Sequence, residues 1–252
     1  MSAGHKYMKN RYDNMKIGMI LLAAGCSRRF GSNKLLYEIE GKPMYLRALE
    51  RLLEVQRKRS AIHFSPDEKA ADKQGKKFQR GKSAQPEGNR RTGEKITISI
   101  AVVTQYEEIR RTAAQMEIPV ILNPHPEEGI ASSMKLGLAG FSDTGACLFS
   151  VADQPWLKAE TVMKLVKLFL DSGKGIACLS ENGVPGNPCI FSRKYYPELM
   201  ELTGDRGGKR VLNKHPEDTV FLEAEDGREL KDVDCPESGI REHSHKNTQE
   251  YR

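Results

Sequence analysis

Residues Ile17 to Lys34 read IGMILLAAGCSRRFGSNK, an apolar run that breaks into small residues and then into three cations. An apolar run of this length, ended by Gly, reads as a buried strand. Ala23, Ala24, Gly25, Ser27 and Gly31 carry little side-chain bulk, so a ligand can approach backbone N–H groups that act as an anion nest. Arg28, Arg29 and Lys34 bring positive charge to the same loop. These features together suggest a cradle for a nucleoside triphosphate, the plain alternative being a solvated βα loop. The spacing matches neither G-x-x-x-x-G-K-[ST] nor G-x-G-x-x-G, so a Walker loop and a dinucleotide fingerprint are both excluded.

Outward from this stretch, strand and helix signals alternate, which predicts an α/β domain with a mostly parallel sheet and helices on both faces. Pro43 to Val55 reads as a helix, with Pro43 in its first turn and Leu46, Leu49, Leu52 and Leu53 on one face. Ile96 to Val103 reads as a strand, Glu107 to Met116 as a helix and Val120 to Leu122 as a short strand. A helix from about Ser132 to Ala139, a strand from Cys147 to Val151, a helix from Ala159 to Leu170 and a strand from Ile176 to Leu179 follow. No repeat of solenoid period occurs.

The 252 residues fit one enzyme domain, and their net charge of +6 is local. Residues 57 to 95 hold 12 Lys or Arg against 5 Asp or Glu, leaving 28 against 29 for the rest of the chain. That segment lacks apolar periodicity and cannot bury enough surface to offset its ordering entropy, so it is expected to be a disordered, basic insertion. A solvated linker accounts for its charge better than nucleic-acid binding does. The domain is thus expected to run from 16 to 237 around this insertion, with a flexible extension at 1–15 and a polar tail at 238–252. No apolar stretch reaches the roughly 18 residues of a membrane span, and residues 1–16 lack the apolar core of a signal peptide, so a cytoplasmic protein is expected. The five scattered cysteines contain no C-x-x-C pair, which argues against a disulfide framework or a zinc site.

Polar groups then cluster where strands end. Asp153 lies in Ala152-Asp153-Gln154-Pro155 after an apolar strand, and ligands of open α/β sheets bind at the carboxyl ends of strands. A carboxylate there suits Mg2+, although Asp153 could equally cap a helix starting near Pro155. Asn123 and Gly129-Ile130-Ala131-Ser132-Ser133 lead into a helix, where the two serine hydroxyls suit an N-cap. Gly186-Asn187-Pro188 reads as a turn entering a strand, and Gly204-Asp205 lies in a polar loop entering a helix. In Asp232-Val233-Asp234, alternation along a strand places both carboxylates on one face.

The pattern L-A-A-G-x-S-x-R-F-G-x-x-K from Leu22 to Lys34 resembles the opening motif of nucleotidyltransferases that activate small molecules, and most closely that of the molybdenum cofactor cytidylyltransferases. The sister guanylyltransferases usually carry L-A-G-G and a G-x-D-K ending, whereas here Ala24 and Ser32-Asn33-Lys34 stand at those places. The D-Q-P-x-L run at Asp153, the run from Gly129 to Leu138, the loops at Gly186 and Gly204, and the D-x-D at Asp232 resemble further family motifs in the family's order. Ala131 and Asn187 depart from it, standing where Ser and His are commoner.

The resemblance implies a Rossmann-like, GT-A-like nucleotidyltransferase fold. It implies Mg2+-dependent transfer of CMP from CTP to molybdenum-bound molybdopterin, with a molybdenum hydroxylase receiving the product. It assigns catalysis to Arg29, Lys34 and Asp153, and the nucleotide to Leu22, Ala23, Ala24, Gly25, Ser27, Arg29, Lys34, Asn123, Gly129 and Ser133. The acceptor falls to Gln154, Gly186, Asn187, Pro188, Gly204 and Asp205, and the metal to Asp153, Asp232 and Asp234. A guanylyltransferase, another cytidylyltransferase of the same fold, and a non-enzymatic molybdopterin carrier are the alternatives.

Overall fold

In the computed structural model, β1 (Lys16–Ala23) buries every residue but the first. Residues 15–25, 33–62 and 96–233 are described. A strand buried on both sides belongs at the centre of a sheet covered on both faces, which is why its sequence is a continuous apolar run rather than an alternation. A short antiparallel hairpin of β2 (Glu38–Ile39) and β3 (Lys42–Pro43) follows. The remaining strands are β4 (Thr97–Thr104), β5 (Val120–Leu122), β6 (Ala146–Val151), β7 (Ile176–Glu181), β8 (Val184–Ser192) and β9 (Thr219–Glu223). With β1 they form a seven-stranded sheet in the order β5-β4-β1-β6-β8-β7-β9. Only β8 runs antiparallel to its neighbours, β6 and β7.

The odd residues of β1, from Ile17 to Ala23, point to one face and pack with α1 (Met44–Arg57), α2 (Glu107–Gln115) and α4 (Ala159–Ser172). Ile20 and Leu22 point to the other, where α3 (Ile130–Ala139), α5 (Tyr196–Met200) and α6 (Lys209–Lys214) lie. Alternation of side chains along the strand thus divides one apolar run between two cores. Helices cover both faces, as the sequence pattern implies. A Cβ on Gly137 of α3 would lie 2.6 Å from Ile20 Cγ2, so this glycine lets the helix approach the sheet closely.

Several boundaries differ from the sequence reading. α1 continues to Arg57 and buries Tyr45, Ala48, Leu49, Leu52 and Val55, while Leu46 and Leu53 are only partly buried at the edge of the stripe. Fully burying Leu49 and Leu52 contributes about 1.5–3 kcal/mol each. Residues 57–62 are not part of an unstructured insertion: Arg59–Ala61 form a 3-10 turn and Ile62 is buried in the core. Met15, assigned to the flexible extension, is buried as well, and its carbonyl accepts from Thr97 N–H at 2.9 Å. The rest of the basic segment, residues 1–14 and the polar tail lie outside the described residues. β8 begins at Val184, so Gly186, Asn187 and Pro188 sit inside a strand rather than in a turn leading to one. β9 has no counterpart in the sequence reading. Among the described residues no helix is long and apolar enough to cross a membrane.

Candidate active site

The carboxyl ends of β1 and β6 converge on one cavity of about 350 Å³. Leu22, Ala24 and Gly25 line it where β1 gives way to the small-residue loop. Their backbone is held from the β4 side by three consecutive side chains. Thr104 Oγ1 donates to Ala23 O at 2.9 Å, Gln105 Nε2 to Ala24 O at 2.8 Å, and Tyr106 OH to Gly25 O at 2.6 Å. Sequence reading did not single out these three residues, because their partners are backbone carbonyls and leave no trace in side-chain spacing.

Lys34 opens a 3-10 turn, Lys34–Leu36, whose cap is Asn33: its side chain accepts from Leu35 N–H at 3.1 Å. Burial of Leu35 fixes the turn to the core. From the other side β6 delivers Asp153, and Ala152 N–H donates to Leu22 O at 3.1 Å, extending the β1–β6 ladder to the cavity's edge. Lys34 Nζ then reaches Asp153 Oδ2 at 2.8 Å, the two side chains being 14% and 20% exposed. An ion pair this shielded is screened far less than a surface pair. Asp153 does not cap a helix, since α4 starts at Ala159. Its N-terminus is served instead by the buried carboxylate of Glu229, which accepts from Lys158 N–H at 3.0 Å. The capping alternative for Asp153 therefore falls, and its carboxylate is left to Lys34 and the cavity.

The opposite wall is the start of α3. The helix begins at Ile130, two residues earlier than its serines suggest, and Ser132 and Ser133 are not its N-cap. That position is Gly129, with φ 84°, and no side chain caps the helix. Ser132 Oγ turns back to the carbonyls of His125 and Gly129 at 3.1 and 3.0 Å. Asn123 is 3% exposed and its amide donates to both Ser132 Oγ and Ser133 Oγ at 2.9 Å. It shapes this wall without lining the cavity, whereas Ser133 and Gly129 do line it. Glycine is required at 129 twice over, because φ is positive and a Cβ would stand 2.4 Å from the backbone of Gly204. That contact docks the loop at 202–208 on α3, with Ala131 N–H donating to Gly204 O at 3.1 Å, and brings Asp205 into the lining.

The remaining expected residues divide. Val233 N–H donates to Asp153 O at 3.1 Å, laying residues 231–233 across the Asp153 turn. Gln154 Nε2 donates to Leu230 O at 3.1 Å and to Asp232 Oδ1 at 2.9 Å. Gln154 is 3% exposed, ties down the Asp232 carboxylate and does not line the cavity. Residues 231–233 form no strand, and Asp234, the partner in the expected alternation with Asp232, is not described. Val233 is buried against Ile39 and Met44 while Asp232 is exposed. Gly186, Asn187 and Pro188 do not line the cavity. Ser27, Arg29 and Asp234 lie outside the described residues.

A family model for the MobA-like NTP transferase domain matches residues 19–88 and 91–220. The chain belongs to this family. Over 114 residues it is 33% identical to the purine catabolism protein PucB of Bacillus subtilis, covering 44% of this chain and 54% of that one. Over 38 residues it is 55% identical to the probable molybdenum cofactor guanylyltransferase of Pyrococcus horikoshii, covering 15% of this chain and 20% of the relative. This MobA-like chain thus spans about half the length, or less, of these curated relatives. Among solved structures, Rv0371c from Mycobacterium tuberculosis H37Rv superposes with a TM-score of 0.61 at 21% identity, over 88% of this chain and 94% of that chain. At that identity the likeness concerns the fold, which is the Rossmann-like fold of nucleotidyltransferases.

Proposed function

We propose that this MobA-like protein is a nucleotidyltransferase that transfers CMP from CTP to the terminal phosphate of a molybdenum-bound molybdopterin, releasing pyrophosphate. The observation that carries the reading is the Lys34–Asp153 pair, which brings a cation and a carboxylate 119 residues apart to one cavity at the ends of β1 and β6. An acceptor phosphate oxygen forms a bond to the α-phosphorus of the nucleotide while the bond from that phosphorus to the bridging oxygen breaks and pyrophosphate departs. Two polyanions must be brought together, so catalysis rests on alignment and charge neutralisation rather than on a covalent nucleophile. Lys34 supplies one positive charge and Arg29 a second, with Ser27, Gly25 and Ala24 wrapping the phosphates. Ser133 and Gly129 bound the nucleotide from α3, and Gly204 and Asp205 carry the acceptor side. Gly186, Asn187 and Pro188 would serve an acceptor that extends beyond the cavity.

A divalent cation fits the donors present. Asp153 offers a partly exposed carboxylate at the cavity, while Asp232, outside the cavity lining, has its carboxylate anchored by Gln154. Among the described residues no group of three or more His, Cys, Asp or Glu side chains gathers around a common point. One or two carboxylates plus substrate phosphates is the ordinary coordination of Mg2+. The ion would be held by Asp153 with Asp232 or Asp234, and it would neutralise phosphate charge.

CTP is preferred over GTP because Ala24 and the Ser32-Asn33-Lys34 ending resemble the cytidylyl branch, although a curated relative is a probable guanylyltransferase. A molybdenum hydroxylase would receive the product. The test is pyrophosphate release with each NTP and Mg2+, with and without molybdenum-bound molybdopterin. Acceptor-dependent release from CTP is the expected result. Release from GTP alone would move the protein to the guanylyl branch, and no release from any NTP would favour the carrier.

A further inference from the structure

We infer that Gln105 and Tyr106 are positioning residues for the nucleotide: their side chains set the orientation of the peptide groups that line the phosphate cradle. The inference rests on the reading of the cavity as a nucleotide site. β1 and β4 pair in parallel from Lys16↔Thr97 to Ala23↔Thr104, and there the backbone ladder ends. Side chains continue it. Thr104, Gln105 and Tyr106 give one donor each to the successive carbonyls of Ala23, Ala24 and Gly25, at 2.9, 2.8 and 2.6 Å. Thr104 Oγ1 also accepts from Tyr106 N–H at 3.1 Å, which ties the first and third of these residues together.

The consequence follows from peptide geometry. In a planar trans peptide the C=O and the next N–H point in opposite directions. Carbonyls drawn toward β4 therefore turn the amides of Ala24 and Gly25 away from it. β6 and its Asp153 turn flank β1 on that other side, and Lys34 is paired there. The clamp keeps carbonyl oxygens, which repel an anion, off the side where a polyphosphate must lie, and presents the attractive end of the same dipoles. An unclamped small-residue loop samples both orientations, and binding then carries the entropy of choosing one.

Thr104 is fully buried and closes the sheet, so its removal would perturb folding. Gln105 and Tyr106 are only partly buried, and Tyr106→Phe removes one hydroxyl while leaving the ring that packs against the core. Equilibrium binding of Mg2+–CTP, and of Mg2+–GTP in parallel, should be measured for the wild type, Tyr106→Phe, Gln105→Ala and the double variant, together with steady-state kinetics and melting temperature. Each single variant should raise Kd and KM for the nucleotide about three- to tenfold, the loss of one hydrogen bond, with kcat within about twofold. Melting should be nearly unchanged in Tyr106→Phe. Gln105→Glu should bind more weakly than Gln105→Ala, because an ionised carboxylate cannot donate to Ala24 O and repels it. Wild-type Kd in both single variants, or a lowered melting temperature with unchanged Kd, would overturn the inference. Absence of binding by the wild type to either nucleotide would instead overturn the reading of the cavity, a result visible before any variant is compared.

Discussion

The chain leaving β1 and β6 meets at one cavity with Lys34 and Asp153, whereas the antiparallel region of β7 and β8 spends its small and polar residues on packing. Gly186 shows the contrast. Its carbonyl accepts from the thiols of Cys178 and Cys189, both at 3.1 Å, and a Cβ at this position would stand 2.2 Å from Leu230 Cδ2. Cys178 and Cys189 are cross-strand partners with sulfurs 2.8 Å apart. Hydrogen bonding to Cys178, together with burial, holds the Cys189 thiol well above its usual range, as suits an inert packing group rather than a nucleophile. Gly129 has an equally crowded surrounding, but its crowding joins two walls of the cavity. A glycine beside polar residues thus lines the cavity at Gly129, where α3 begins, and makes a tight side-chain contact at Gly186, inside β8; ligands of open α/β sheets gather at the carboxyl ends of the parallel strands.

The contrast breaks most visibly at Lys34. Lys34→Ala should lower turnover about a hundredfold or more, since it removes a charge aimed at the phosphates. Turnover near the wild-type value would place the chemistry elsewhere. Gly129→Ala is the next largest: a positive φ and contact with the Gly204 backbone should cost about 1–3 kcal/mol, read as a lower melting temperature. It should also raise KM by displacing Asp205. Gly186→Ala sharpens the comparison, because its clash is with the flexible Leu230 side chain. It should lower melting temperature and leave nucleotide KM unchanged; an equal rise in KM would erase the distinction between the two regions. Smallest of all is replacement of residues 63–95 by a short Gly/Ser linker, for which activity should change by less than about twofold. A collapse of activity would give that segment a role in the site.

Much of the central sheet was legible because its strands are continuous apolar runs, as in MILLA of β1 and ACLFSV of β6. β9 was not, since TVFLE is short, lies at the sheet edge and leaves Phe221 44% exposed among charged neighbours. The start of α3 was misread because a serine pair looks like a cap, while backbone geometry at Gly129 fills that place and Asn123 ties the hydroxyls up. Lys34 and Asp153 were each legible from local motifs, but their pairing depends on β1 and β6 being neighbours. The clamp at Gln105 and Tyr106 is invisible in sequence for a different reason. Its acceptors are carbonyls, which every residue has.

The account stands or falls on Asp153. Asp153→Asn keeps the side chain's size and an acceptor oxygen for Lys34 while removing the charge that faces Lys34 and a bound cation, and there is no helix for it to cap. Initial rates of pyrophosphate release should be measured against Mg2+ concentration for this variant and the wild type at saturating CTP and acceptor. A steep fall in turnover with a higher Mg2+ concentration at half-maximal rate, at an unchanged melting temperature, is the predicted result. Wild-type turnover with unchanged Mg2+ dependence would contradict the assignment of this cavity as the site of nucleotidyl transfer.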